Sequence, residues 1–236
     1  MTVPLIVVQD QHQSCPYLPQ EVARMPLRLP LGELTPEATD DLLAGGFRRS
    51  GDFFYRTQCP QCHECHPTRV DVERFQWTRS LRRVLQRGRR DLTFRWGPVQ
   101  VDDRRVDLYN MHRKCRHLEL DDRRIDVDDY RAFLVDSRCQ TRELAIRLDG
   151  QLIAVSIVDI GKSSVSAVYT YFDPSAGRFC PGTLAILEQI SWARTTGRQW
   201  VYLGMYVELN RHLNYKSRFV PQERLEKGEW RPYAVR

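Results

Sequence analysis

No stretch of the 236-residue chain comes near the roughly 18 consecutive apolar residues that a membrane-crossing helix needs, so no membrane partner is expected. Internal repeats and low-complexity linkers are also missing, which excludes a solenoid and a chain dominated by flexible tails. The opening MTVPLIVVQDQHQSCPYLP has a short apolar patch, but no basic leader and no small-residue cleavage site before polar residues intervene. A cytoplasmic location is therefore expected. Lysine is scarce: the 36 basic residues are nearly all arginine. A disulfide framework is excluded too, because the seven cysteines are an odd number and three of them crowd into one short turn. What remains, at 42% hydrophobic and 28% charged, is the composition of an ordinary globular protein, long enough for one large domain or two modest ones.

Two units are the better reading, a small irregular Cys- and Pro-containing one over residues 1–75 and a larger one over 76–236. In the first, Thr35 is placed to cap a helix with Pro36 at its first position and Gly45-Gly46 at its end. "FRRSGDFFYRTQC" alternates aromatics as a strand or hairpin would, and "TRVDVERF" reads as a strand. Ser80 to Asp91 reads as a helix interrupted by Gly88, followed by a strand at "DLTFRWG". The net charge of +6 is concentrated here, since residues 79–95 carry seven arginines against one aspartate. Such a local excess is what a phosphate-bearing partner needs, although a solvated helix face would read the same way.

The second half changes character. Helices are expected at 102–117 and 128–137, and then three strands in a row, "ELAIRL", "QLIAVSIVDI" and "VSAVYTYFDP", the first two joined by an Asp149-Gly150 turn. "GTLAILEQISWARTTG" reads as a helix with Gly197 after its last turn, "QWVYLGMYV" as a buried strand, and a final helix closes the order. Two helices, an antiparallel three-strand meander, a helix, a strand and a final helix resemble an acetyltransferase-like (GNAT) α/β fold. The segment corresponding to the donor loop, "GRFCPGT", is a poor copy of the R-x-x-G-x-G/A turn of coenzyme A users. Acyl donors other than coenzyme A are then open.

Residues 59–67, "CPQCHECHP", place Cys59, Cys62 and Cys65 close enough to hold one metal ion or one side of a cluster. A fourth ligand must come from elsewhere. Cys15 leads, in the same irregular unit; His63 and His66 compete and His12 is a weaker rival, while Cys115, Cys139 and Cys180 read as ordinary residues of the larger unit. Thiolates suit zinc and iron–sulfur alike. A base-reading finger is disfavoured, because no second C-x2-C and no H-x3-5-H follows.

The blocks "SCPYLP", "LLAGGFRRSGDFFYRTQCPQCHECHPTRVDVERFQWTRSLRRVLQRGRRDL", "YTYFDP", "YLGMYV" and "NYKSRFVP" together resemble the arginyl-tRNA–protein transferase family, in its bacterial leucyl branch, over essentially the whole chain. The resemblance implies an enzyme that moves leucine from Leu-tRNA to the α-amine of proteins beginning with Asp or Glu, marking them for degradation through the N-degron pathway. It implies a GNAT-like catalytic domain with a Cys-rich N-terminal domain that binds iron–sulfur or zinc in eukaryotic members. Where those members carry a second cysteine near the first, this chain has Leu18. The competing readings are arginyl transfer to the same acceptors, coenzyme A-dependent N-acetylation, and non-catalytic RNA binding by a zinc knuckle.

An aminoacyl-tRNA is already an activated ester, so transfer to an amine needs neither ATP nor another cofactor for catalysis. Positioning and one proton route carry the chemistry. Within the family-like blocks, Tyr169 and Tyr171 share one strand face, and Tyr202, Gly204 and Tyr206 share another. Tyr169, Tyr171 and Tyr206 are the catalytic candidates, and Tyr202 and Gly204 are substrate-binding ones. Lys216, with Arg218 as backup, and Arg48 and Arg49 are candidate anion binders for the acceptor's acidic side chain or for RNA. Arg82, Arg83, Arg87, Arg89 and Arg90 are candidates for holding tRNA phosphates. Cys15, Cys59, Cys62 and Cys65 are the candidate metal ligands.

Overall fold

A computed structural model describes residues 3–118 and 123–233. Strands β1 (Leu5–Gln9), β2 (His12–Ser14), β3 (Val22–Arg24) and β4 (Leu27–Pro30) precede helix α1 (Pro36–Ala44), the hairpin β5 (Arg48–Ser50) and β6 (Phe53–Tyr55), and strand β7 (His66–Asp71). Helix α2 (Arg79–Asp91), strand β8 (Thr93–Gly97) and helix α3 (Asp103–Cys115) come next, and the short α4 (Val127–Tyr130) runs into a π turn at Arg131–Val135. The meander β9 (Thr141–Leu148), β10 (Gln151–Ile160) and β11 (Ser164–Phe172) leads through a 3-10 turn at Pro174–Phe179 into helix α5 (Pro181–Thr195). Strand β12 (Trp200–Tyr206), a 3-10 turn at Asn214–Arg218 and the hairpin β13 (Gln222–Glu226) and β14 (Glu229–Tyr233) complete the order.

Local chemistry explains most of these elements. The Thr35 hydroxyl accepts the Ala38 N–H at 3.2 Å, Pro36 opens α1, and Gly45 ends it. Gly88 does not interrupt α2 as expected. A Cβ there would stand 2.7 Å from both Leu184 methyls, so this glycine is where α2 presses onto α5. The helix expected over 128–137 is only one α turn, capped by Asp126, before the backbone widens into the π turn. The final helix is absent among the described residues. Lys227 (φ 50°) and Gly228 (φ 85°) form a left-handed pair instead, the geometry that folds strands back, and the alternating side chains around them give the hairpin of β13 and β14.

The fold is mixed α/β. Its large sheet runs β14-β13-β7-β12-β11-β10-β9-β8, with β11 and β12 parallel and every other neighbour pair antiparallel. Strand β7, which immediately follows the cysteine cluster, is an interior strand of this sheet between β13 and β12. A four-stranded sheet, β1-β4-β6-β5, and the β2-β3 pair make up the rest of the N-terminal segment. On one face of the large sheet α2 and α5 bury Leu81, Ile186, Leu187 and Ile190 against Val165, Val201 and Leu203. On the other, α3 and the π turn bury Val106, Leu108 and Leu134 against Val155, Ile157 and Tyr171. No helix among the described residues is long and apolar enough to cross a membrane.

Candidate active site

The parallel pair at the sheet's centre opens. Strands β11 and β12 are in register only from Ser164↔Trp200 to Ser166↔Tyr202, and no further pairs form. On the other edge of β12 the register with β7 slips between Tyr202 and Gly204, leaving Leu203 as an extra residue, and Gly204 takes a φ of 87° that other residues rarely adopt. Where the two strands part, two buried cations bond to their carbonyls. Arg48, at the start of β5, donates from Nη2 to the Ala167 carbonyl of β11 at 3.0 Å. Lys216, in the last 3-10 turn, donates from Nζ to the Met205 carbonyl of β12 at 2.6 Å. Burial, reinforced by the Arg48 charge, lowers the Lys216 ammonium to about 7. Burial also lowers Arg48, opposed by the nearby Tyr55, Asp159, Tyr17 and Tyr202.

Tyrosines wall the opening on the N-terminal side. The Tyr17 and Tyr55 hydroxyls lie 3.5 Å apart, and the loop after β12 is tied to this unit by Asn210 Nδ2 donating to the Tyr17 carbonyl at 2.9 Å. The Tyr202 hydroxyl accepts from Arg69 Nη1 at 3.1 Å, and the Arg69 guanidinium stacks 3.7 Å over Trp200 and 4.2 Å over Trp230. Arg48, Tyr202, Gly204 and Lys216, expected from three separate sequence blocks, thus meet at one place.

The other expected residues divide. Arg49 is not free to bind an anion: its Nε pairs with Asp159 Oδ2 at 2.8 Å, with both side chains buried. Arg218 is exposed on the 3-10 turn. Tyr171 is fully buried, its hydroxyl 2.6 Å from that of Tyr130, and burial raises its pKa; it is a packing residue rather than a cleft residue. Tyr206 is buried as well, with the Arg224 guanidinium 3.4 Å from its ring centre. Tyr169 is half-buried, and its edge meets Tyr109 with ring centres 5.4 Å apart. On α2, Arg82, Arg83, Arg87, Arg89 and Arg90 are all exposed, but Arg89 is committed to Glu188 through two hydrogen bonds of 2.7 and 3.1 Å and Arg90 to Asp91. Arg87 donates to the Arg178 carbonyl at 2.7 Å.

Cys15, Cys59, Cys62 and Cys65 are reduced and half-buried. Burial first, and then the charges of Cys15, Cys59 and Cys62, push the Cys65 thiol up to about 12. Cys15 Sγ accepts the Leu18 N–H at 3.4 Å, and burial raises the Cys62 thiol, opposed by the Glu64 N–H. By type alone, four thiols are donors for a thiophilic metal. Among the described residues, however, no three His, Cys, Asp or Glu side chains stand together in a ligating group.

Sequence reasoning missed the basic end of α3. Arg116 Nη2 lies 3.0 Å from His212 Nδ1, and His112 Nδ1 accepts the Phe172 N–H at 3.3 Å. The only sequence signal was the run "HRKCRH" at 112–117, which on its own reads as a solvated helix end.

A central sheet that opens between two parallel strands, with cations facing the opening, is the frame of an acyl-transfer enzyme. Comparison with known proteins narrows that class. The family model described as arginine-tRNA-protein transferase, N terminus, matches residues 13–83, and its C-terminus counterpart matches residues 104–226. An aspartate/glutamate leucyltransferase of Methylobacillus flagellatus is 36% identical over 93% of this chain and 88% of its own length. Another, of Acinetobacter baumannii, is 37% identical over 92% of this chain and 80% of its own. A solved C-terminal domain of a putative lysylphosphatidylglycerol synthetase from Agrobacterium fabrum is 18% identical, with a TM-score of 0.46 over 61% of this chain and 47% of that one. The chain belongs to the arginine-tRNA–protein transferase family and is an aminoacyltransferase. That sets aside coenzyme A-dependent acetylation and non-catalytic RNA binding.

Proposed function

We propose that the enzyme moves leucine from Leu-tRNA to the α-amine of proteins that begin with Asp or Glu. The observation that carries this reading is the opening at Gly204 with Arg48 and Lys216 beside it, in a chain whose relatives are named for that transfer. The α-amine attacks the ester carbonyl, a C–N bond forms, and the C–O bond to the terminal ribose breaks as that oxygen takes a proton. A protein N-terminal amine has a pKa of about 7.7–8.0, so a usable neutral fraction exists at neutral pH. Arg48 and Lys216 supply positive potential where the tetrahedral oxyanion develops. Arg82 and Arg83, exposed on α2, hold the tRNA body through its phosphates, with Arg87 alongside. The four thiols take zinc or an iron–sulfur cluster that braces the N-terminal unit, with no part in the transfer itself. The donor places the enzyme in the cytoplasm, and its products enter N-degron degradation.

The test incubates the enzyme with radiolabelled Leu-tRNA or Arg-tRNA and peptides beginning Asp, Glu or Ala. Label on the Asp and Glu peptides from Leu-tRNA alone is expected. No transfer to any peptide overturns the reading, and transfer from Arg-tRNA alone overturns the donor. Metal content and the visible spectrum of anaerobically purified protein separate zinc from iron–sulfur, and a metal-free, colourless preparation removes both.

A further inference from the structure

Helix α3 divides its charges unequally. Near its start, Arg105 is paired with Asp102 and with the buried Glu143, and Arg104 lies 3.9 Å from Asp173. Near its end, Arg113 and Arg116 have no carboxylate within ion-pair distance among the described residues, and Arg113 Nη1 and Arg116 Nε are recessed from solvent with no hydrogen-bond partner. A buried N–H left without an acceptor is unfavourable, so such atoms suit a place that receives one. Spaced three apart, the two guanidiniums share one side of the helix.

Their surroundings fix the location. The Arg113 guanidinium lies 5.8 Å from the centre of the Tyr109 ring, which meets Tyr169 at 5.4 Å, and the charges of both arginines act on Tyr169, which stands in β11 beyond the last residue paired with β12. The Arg116 charge also acts on Tyr215, the neighbour of Lys216. Arg116 itself is held by His212, in the loop that follows β12. The pair therefore spans the mouth of the opening, from one diverging strand to the segment beyond the other. On the other faces, the Asp129 carboxylate feels the Arg113 charge but is committed to Arg123 at 2.9 Å and to the Asp126 N–H, His112 is spent on the Phe172 N–H, and Tyr109 and Tyr169 present their rings. Arg48 and Lys216 are bonded to the carbonyls of Ala167 and Met205.

We propose that Arg113 and Arg116, the latter held by His212, form the subsite that receives the acidic side chain of the acceptor's first residue. This rests on the transfer reading above and gives its acceptor selectivity a structural origin. A side-chain carboxylate suits recessed N–H groups, and a bidentate guanidinium contact distinguishes it from the neutral amide of Asn or Gln. A ribose–phosphate backbone is better served by the exposed arginines of α2. The pair acts as a specificity determinant and takes no part in bond making.

The experiment measures leucyl transfer to otherwise identical peptides beginning Asp and Asn, with wild type, Arg113→Gln, Arg116→Gln and Arg116→Lys. The Asp-over-Asn ratio of kcat/KM is expected to fall about tenfold or more in each glutamine variant, with KM for Leu-tRNA unchanged and part of the ratio kept by Arg116→Lys. A ratio unchanged in both glutamine variants overturns the subsite. A raised KM for Leu-tRNA with the ratio intact does so in favour of an RNA contact. If the glutamine variants do not fold, the wild type decides: Asp-Ala must protect Arg113 and Arg116 from phenylglyoxal, mapped by peptide mass, and Asn-Ala must not. Equal protection by both dipeptides overturns the proposal. Wild type that transfers to no peptide fails at the parent reading, whereas wild type that transfers beside variants of unchanged ratio fails at the subsite alone.

Discussion

The Arg48 guanidinium and the Lys216 ammonium reach the same glycine from opposite ends of the chain. A methyl group on Gly204 would stand 3.3 Å from Arg48 Nη2 and 3.4 Å from Lys216 Nζ, at a backbone φ of 87°. Each of these two cations is bonded to a carbonyl of one of the parting strands, Arg48 to Ala167 of β11 and Lys216 to Met205 of β12.

Gly204→Ala is therefore expected to cost about 1–3 kcal/mol of stability through the left-handed backbone alone. Crowding of both cations should lower leucyl transfer further than the fold is weakened. Urea unfolding together with single-turnover transfer measures the two effects; full activity in a folded Ala variant would remove the glycine from the site.

Lys216 should make stability depend on pH. Its ammonium is lowered from 10.5 to about 7 by burial and by the Arg48 charge. Between those values the unfolded chain holds a proton that the folded chain has released, so the contribution of this residue rises with pH across the window and is least favourable below 7. Relative to wild type, Lys216→Met is expected to be more stable at pH 6 than at pH 10. Urea midpoints at the two pH values check the sign.

The Arg49–Asp159 pair is a folding element, with side-chain exposures of 1% and 3% and a further bond from the Thr141 hydroxyl to Asp159 at 2.8 Å. Asp159→Asn is expected to cost about 3–5 kcal/mol, because it strands a buried guanidinium. Arg49→Met with Asp159→Asn should cost less than the two single changes added together. A double-mutant cycle by denaturant unfolding gives the coupling.

The arginines of α2 should separate by experiment. Arg82→Gln and Arg83→Gln are each expected to reduce the salt dependence of tRNA binding by about 0.7–0.9 in the log–log slope, with no loss of stability. Arg89→Gln instead breaks the bidentate contact to Glu188, costing up to about 1 kcal/mol since Arg89 is half exposed, with the slope unchanged. Filter binding across a salt series and thermal midpoints distinguish the two groups.

Elements written in short-range chemistry were legible from the residues. The Thr35-Pro36 start and Gly45 end of α1, the Asp149-Gly150 turn and the β9-β10-β11 meander stand where capping, turn and alternation rules put them. The reading failed where tertiary contact overrides local preference. Gly88 looks like a helix breaker until Leu184 is seen to need its missing side chain, and the tail reads as helix until its Lys227-Gly228 turn is seen to return a strand to the sheet edge beside β13.

For the site, the sequence by itself determined the residue types: thiols at metal-ligand spacing, an arginine-rich helix, and the blocks that hold Arg48, Tyr202, Gly204 and Lys216. Only the tertiary structure decided which of them meet. Arg48 and Arg49 are adjacent in the chain, yet strand alternation sends one to the carbonyl of Ala167 and the other to the buried Asp159. Tyr169 and Tyr171 lie two residues apart on one strand, but Tyr171 is closed over by Tyr130 while Tyr169 lies toward Arg113 and Arg116. Which cation is free and which is already neutralised depends on partners more than a hundred residues away, and no local rule of spacing contains that distance.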